Sequence, residues 1–150
     1  MDQLTARFWL SIGVAVLCGG IVGLERQIRG KPAGIRTNIL ICLGTSIFVQ
    51  LGATFEGLNV DPTRVLGQVV TGIGFLGAGV IIAREGLVKG VTSAAVIWVL
   101  AGIGAMIGFG KFAPAIALAV VTVVILTSIE FLENSIHRLQ GGDHGQKQEE

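Results

Sequence analysis

Five ionisable side chains stand where apolar runs of the sequence end: Glu25, Arg26, Arg36, Arg84 and Glu85. Asn38, with Thr37 and Thr92, lies close by as a neutral hydrogen-bonding group. Carboxylates and guanidinium groups brought together away from water form short, charge-assisted hydrogen bonds, so this pattern is a candidate polar cluster of Glu25, Arg26, Arg36, Asn38, Arg84 and Glu85. Two readings of it stand. In one, the cations set membrane topology and bind lipid phosphates while the glutamates pair with them. In the other, Glu25, Arg36, Arg84 and Glu85 build a specific site for a partner protein, an ion or an anionic ligand.

Other patterns point away from catalysis. Gly72-Ile73-Gly74-Phe75-Leu76-Gly77 matches a dinucleotide-binding fingerprint, but that motif needs a strand before it and a helix after it, and here it lies inside an apolar run. These glycines are read as packing residues. Intramembrane hydrolysis would need paired aspartates, a serine with a histidine, or a zinc motif, and both histidines, His137 and His144, lie beyond the last apolar run. Thr45, Ser46 and Ser93 have no base nearby and are expected to bond to their own helix backbones. No enzyme and no cofactor are therefore expected. Cys18 and Cys42 lack metal or redox spacing and read as small core residues. Mg²⁺ favours octahedral oxygen coordination, yet the groups deep within the runs, Thr45, Ser46, Gln50, Gln68 and Thr71, are all neutral. The sequence thus leaves any metal ligands unknown. Direct ion transport stays an alternative, with Gln68 and Thr71 its first candidates.

The elements that must position these residues follow from composition. Of 150 residues, 51% are hydrophobic and 14% charged, and the formal net charge of +1 offers no basic face for nucleic acid. Crossing a hydrocarbon layer takes roughly 20 apolar residues in a helix. Segments 8–24, 38–55, 62–83, 91–109 and 112–132 meet that test, with Arg64 and Glu130, each near a segment end, the charged residues among them. The fold class expected is an all-α membrane protein, a five-transmembrane-helix bundle. Asp61-Pro62 supplies an N-cap and a first-turn proline for the third helix, while Gly110 and Pro114 bracket a tight turn between the last two. Lys and Arg alternate between loops. Arg26, Arg29, Lys31, Arg36, Arg84, Lys89, Arg138 and Lys147 fall on one side, and Arg7, Arg64 and Lys111 on the other. The positive-inside rule then predicts an N-terminus outside and a C-terminus in the cytoplasm. Residues 1–139 form the transmembrane domain, and the polar tail 140–150 is expected to be disordered.

Small residues mark where helices approach closely. Gly19 and Gly23 form a GxxxG pair on the first helix; Ala101, Ala105 and Gly108 recur with Ala94 and Trp98 on the fourth. The third helix carries Gly67, Thr71, Gly74 and Ala78 on one face and Gly72 and Gly79 on another, with Gly77 among them, and is expected at the centre of the bundle. The fifth segment lacks glycine and is expected at the lipid-facing periphery.

Four stretches together resemble the MgtC/SapB family of bacterial membrane proteins: Gly23-Leu24-Glu25-Arg26-Gln27; Ala33-Gly34-Ile35-Arg36-Thr37-Asn38; Gly72 to Gly79; and Arg84-Glu85-Gly86 with Gly90 to Ala95 and Trp98. The resemblance implies a multi-pass protein of the bacterial plasma (inner) membrane linked to magnesium homeostasis and stress adaptation. It also implies a modulator of another membrane complex, the ATP synthase being the partner suggested by the family, in contact with the lipid bilayer and open to self-association. The chain is similar to the short, SapB-like form without a C-terminal ACT-like domain.

Overall fold

A computed structural model describes residues 3–54, 62–84 and 87–141. Five helices carry the fold: α1 Gln3–Ile28, α2 Ile35–Thr54, α3 Pro62–Ala78, α4 Val91–Gly108 and α5 Phe112–Gly141. A small antiparallel hairpin, β1 Ile82–Arg84 and β2 Leu87–Lys89, joins α3 to α4. Four helices, α1, α2, α4 and α5, contain apolar stretches long enough to cross a membrane, and α3 is a shorter apolar helix. The architecture is that of a helical membrane protein.

Helix ends follow local chemistry. Gly30 adopts φ of 61°, and the N–H groups of Gly30 and Lys31 bond to the carbonyls of Gln27 and Arg26, a Schellman motif that satisfies the last carbonyls of α1. The same motif closes α4, where Gly110 (φ 72°) and Lys111 bond back to Ile107 and Met106. Two residues later α5 has begun, which gives the tight hairpin anticipated at Gly110. Pro62 opens α3; Asp61 lies outside the described residues.

The core forms among α1, α2 and α4, with α4 at its centre. Val96, Ile97, Leu100, Ile103, Gly104 and Ile107 form one buried face of α4, which Ala101 and Ala105 widen to roughly half of its circumference at 3.6 residues per turn. Bilayer hydrocarbon is as apolar as leucine, so close van der Waals fit rather than exclusion of water holds such helices together. Gly19 and Gly23 supply that fit between α1 and α2. A Cβ at Gly19 would stand 2.6 Å from the Ile39 Cα, and one at Gly23 2.6 Å from the Ile35 Cα. Gly104 and Gly108 do the same between α4 and α2, where added Cβ atoms would meet the Cys42 carbonyl at 2.5 Å and the Val49 Cβ at 2.6 Å. Ala101 and Ala105 are buried on α4, whereas Trp98, on the same stripe, is 58% exposed. The helix α5 lies against the core through Ala115 and Ala119, and most of the side chains described on it from Phe112 to Ile129 are exposed or partly exposed.

The third helix departs from expectation in position and length. Only Ile73 and Gly77 are buried along its described part, and Gly72, Gly74 and Gly79 are exposed. An added Cβ would meet nothing within 4 Å at Gly72 or Gly74, only carbonyls of its own turn at Gly79, and at Gly77 the Ala94 side chain at an ordinary 3.6 Å. Small residues permit close approach without specifying a partner, and the helix that fills the centre is α4. The helix α3 also stops at Ala78 instead of reaching Ala83. Gly77 and Gly79 weaken helix propagation, and the β-branched pair Ile81-Ile82 leads into the hairpin. Gly90 closes the base of that hairpin with φ of 91°, where any Cβ would overlap the Val80 carbonyl. At the far end, α5 takes in Gln140 and Gly141; the tail from 142 lies outside the described residues.

Candidate functional site

The motif at the end of α1 places two charged side chains in the interior. Glu25 and Arg26 are 8% and 3% exposed, although they stand within a turn of the helix end. Gly23 makes this possible, because its lack of a side chain brings the start of α2 against α1 at the same level. Gln27, last of the motif, accepts a hydrogen bond from the Ile35 N–H through its Oε1 at 3.3 Å and so caps α2 from across the loop.

Each buried charge has a specific contact. Arg29 Nε donates to Glu25 Oε1 at 2.7 Å, an i,i+4 pair that partly shields the carboxylate. Arg26 reaches over to α4, where its guanidinium donates to the Ser93 hydroxyl in the first turn. No described carboxylate lies within ion-pair distance of Arg26. The α1 C-terminus supplies part of the compensation, since its carbonyls carry partial negative charge. Asn38, fully buried in the first turn of α2, donates from Nδ2 to the Ala33 carbonyl at 2.9 Å. That bond holds the loop, in which Ala33 itself takes the left-handed region at φ 60°.

Three polar atoms in this layer have no hydrogen-bond partner: Glu25 Oε2, Arg26 Nε and Asn38 Oδ1. Buried polar groups are nearly always satisfied, so two orphaned acceptors and one orphaned donor, all within a turn or so of Gly23, give the layer a capacity to bind polar groups. One end of the bundle therefore holds a buried layer of Glu25, Arg26, Asn38 and Ser93, with the partly exposed Arg29 at its edge.

The candidate residues separate accordingly. Glu25, Arg26 and Asn38 come together, whereas Arg36 and Arg84 are exposed and Glu85 lies outside the described residues. Thr37 and Thr92 are also exposed, and of the three neutral residues only Asn38 is buried. Ser93 corrects a further expectation: in place of a bond only to its own helix, it accepts from a side chain 67 residues away. Sequence offered no signal for that pairing beyond a small hydroxyl residue at the third position of α4. Ser46 does bond to its own helix, at the Leu43 carbonyl. Cys18 and Cys42 are fully buried free thiols.

Two open spaces flank this arrangement. A groove of about 450 Å³ runs between α2 and α3, lined by apolar side chains with Thr45 and Gln68. A cleft of about 730 Å³ opens at the opposite end, among Arg7, Ser11, Gln50, Phe8, Phe109 and Phe112. Thr71, the other α3 residue singled out for transport, is exposed and bonds to the Gly67 carbonyl of its own helix. Among the described residues no three His, Cys, Asp or Glu side chains group as a metal site.

Comparison with known proteins bears on the same residues. The sequence is 40% identical over 130 residues to YhiD of Escherichia coli strain K12, a protein provisionally named as a magnesium transporter; the match covers 82% of this chain and 60% of that one. It is 41% identical over 131 residues to Protein MgtC of Salmonella typhimurium strain LT2, covering 87% and 54% of the two chains. It is 44% identical over 112 residues to Protein MgtC of Brucella abortus strain 2308, covering 75% and 45%. The chain thus spans about half the length of these relatives. No solved structure matches it. The sequence pattern of the MgtC family fits residues 12–135, a range that takes in α1 from its third turn, the buried polar layer, the hairpin and most of α5, and by that measure the chain belongs to the MgtC family.

Proposed function

We propose that this protein is a non-enzymatic membrane modulator in magnesium or ion homeostasis and stress adaptation, acting on another membrane complex, with the ATP synthase as the candidate suggested by family resemblance. The observation that carries the reading is the uncovered face of α3. Gly67, Thr71, Gly74 and Ala78 recur at helical spacing and are all exposed, beside a Phe75 that is 82% exposed. Small residues of this kind seat a neighbouring helix, from a partner or a second copy. The buried Glu25–Arg26–Asn38–Ser93 layer sits at the other functional position, where a polar ligand or partner group could satisfy its three orphaned atoms.

The same reading has five spans in the bacterial inner membrane, with the N-terminus outside and the C-terminus in the cytoplasm. The 17 residues of α3 rise about 25 Å, short of a hydrocarbon core of about 30 Å. The non-helical apolar residues Val80 to Ala83 extend it toward the interface. Arg26, Arg29, Lys31, Arg36, Arg84 and Lys89 cluster where α1 ends and α2 and α4 begin, which favours that end as cytoplasmic.

A second reading, ion transport by the chain itself, is favoured by the provisional name of YhiD and by Gln68 and Thr45 in the α2–α3 groove. One experiment separates the two. Purified protein in proteoliposomes is assayed for Mg²⁺ flux, and the tagged protein is isolated in mild detergent from cells grown at low Mg²⁺. The modulator reading predicts no flux and a membrane complex that co-purifies with wild type but not with Gly74→Leu. Flux above that of empty liposomes would overturn it.

A further inference from the structure

The hairpin between α3 and α4 fits neither water nor hydrocarbon. Every described residue of β1 and β2 is exposed, and Ile82, Leu87 and Val88 are 63%, 66% and 59% exposed. Apolar side chains so open favour leaving water. The backbone forbids the opposite extreme, because a two-stranded sheet has an unpaired edge on each strand and open edges do not survive in the hydrocarbon layer. The register supplies the charge pattern. Ile82 pairs with Lys89 and Arg84 with Leu87, so one face of the hairpin alternates two apolar side chains with two cations across its diagonals. Basic side chains in such a setting lay their stems on apolar surface and send their charges to phosphate.

We propose that this hairpin is a lipid-binding element that lies in the headgroup layer and docks on anionic phospholipid. Ile82 and Leu87 enter the upper acyl region while Arg84 and Lys89 hold the phosphates. Its base is rigid where Gly90 closes on Val80, and Gly90 is also the residue from which α4 starts. Docking thus bears on the first turn of α4, three residues from the Ser93 hydroxyl that receives Arg26. A partner strand added to a hairpin edge is the competing occupant.

The test places a nitroxide label at Leu87→Cys, on the face that enters the lipid, in the full chain; Cys18 and Cys42, being fully buried, stay unlabelled. Nanodiscs of phosphatidylcholine alone are compared with discs that also contain phosphatidylglycerol, and accessibility to oxygen is compared with that to a water-soluble nickel chelate. A label at Val124→Cys on the exposed side of α5 gives the in-bilayer reference, and one at Lys31→Cys the aqueous reference. The expected result is an intermediate depth in anionic discs. Replacing each cation, in Arg84→Gln and Lys89→Gln, should lower the docked-to-free ratio about fivefold, the factor matching ~1 kcal/mol per basic residue at an anionic surface. Aqueous accessibility in both kinds of disc would overturn the proposal, as would a depth that ignores lipid charge. Protection from both reagents would also overturn it, since that signals a protein strand on the hairpin.

Discussion

Placing α4 rather than α3 at the centre of the bundle has a sharp consequence for two glycines that look alike in sequence. Gly19→Ala puts a methyl group 2.6 Å from the Ile39 Cα and 2.7 Å from the Asn38 carbonyl oxygen, both backbone atoms. Ordinary contact begins at 3.4 Å, so α1 and α2 must part by about 0.8 Å, and no rotamer change can relieve it. Overpacking of this kind costs about 1–3 kcal/mol. Gly72→Ala meets nothing within 4 Å. Both substitutions gain the same helix propensity, up to about 1 kcal/mol, so the difference between them isolates the overlap. The unfolding equilibrium constants of the two variants should therefore differ by about 5-fold to 150-fold, with Gly19→Ala the less stable. The assay is reversible unfolding of the monomer in mixed micelles of mild detergent and SDS, followed by helical circular dichroism. Equal midpoints would refute the packing argument. A larger loss for Gly72→Ala would return α3 to the centre.

Further predictions concern the polar layer and the thiols. Ser93→Ala leaves the buried Arg26 guanidinium without its hydroxyl partner and should cost about 1.5–3 kcal/mol in the same assay, while Ser93→Thr keeps the bond and most of the stability. Arg26→Lys should behave like Ser93→Ala, because a lysine cannot present the same fork from that depth; wild-type stability would argue that only charge matters there. Arg36→Lys, on an exposed side chain, should leave growth at low Mg²⁺ unchanged with normal expression, and a loss of function would restore Arg36 to the site. Cys18 and Cys42 should resist maleimide in the folded protein and react on unfolding, whereas rapid labelling of native protein would contradict their burial.

Hydropathy was sufficient to find the helices, because a helix satisfies its backbone within itself and so can be read from a continuous apolar run. The turns were equally local: Gly30 and Gly110 end α1 and α4 through motifs that span six residues. The membership of Glu25, Arg26 and Asn38 in one polar group was also visible, since their motifs flank a short loop. What sequence could not supply was the choice of neighbours. A glycine says that something can come close, and only the assembled bundle shows that Gly19 and Gly23 have α2 against them while Gly72 and Gly74 have open space. Ser93 became the partner of Arg26 because α4 packs beside α1, a juxtaposition across 67 residues that no local pattern encodes. The end of α3 was misjudged for the same reason. Val80 to Ala83 are apolar enough to continue a span, but pairing with Leu87–Lys89 and the closure at Gly90 decide that they form a hairpin, and pairing is a property of two segments, not one.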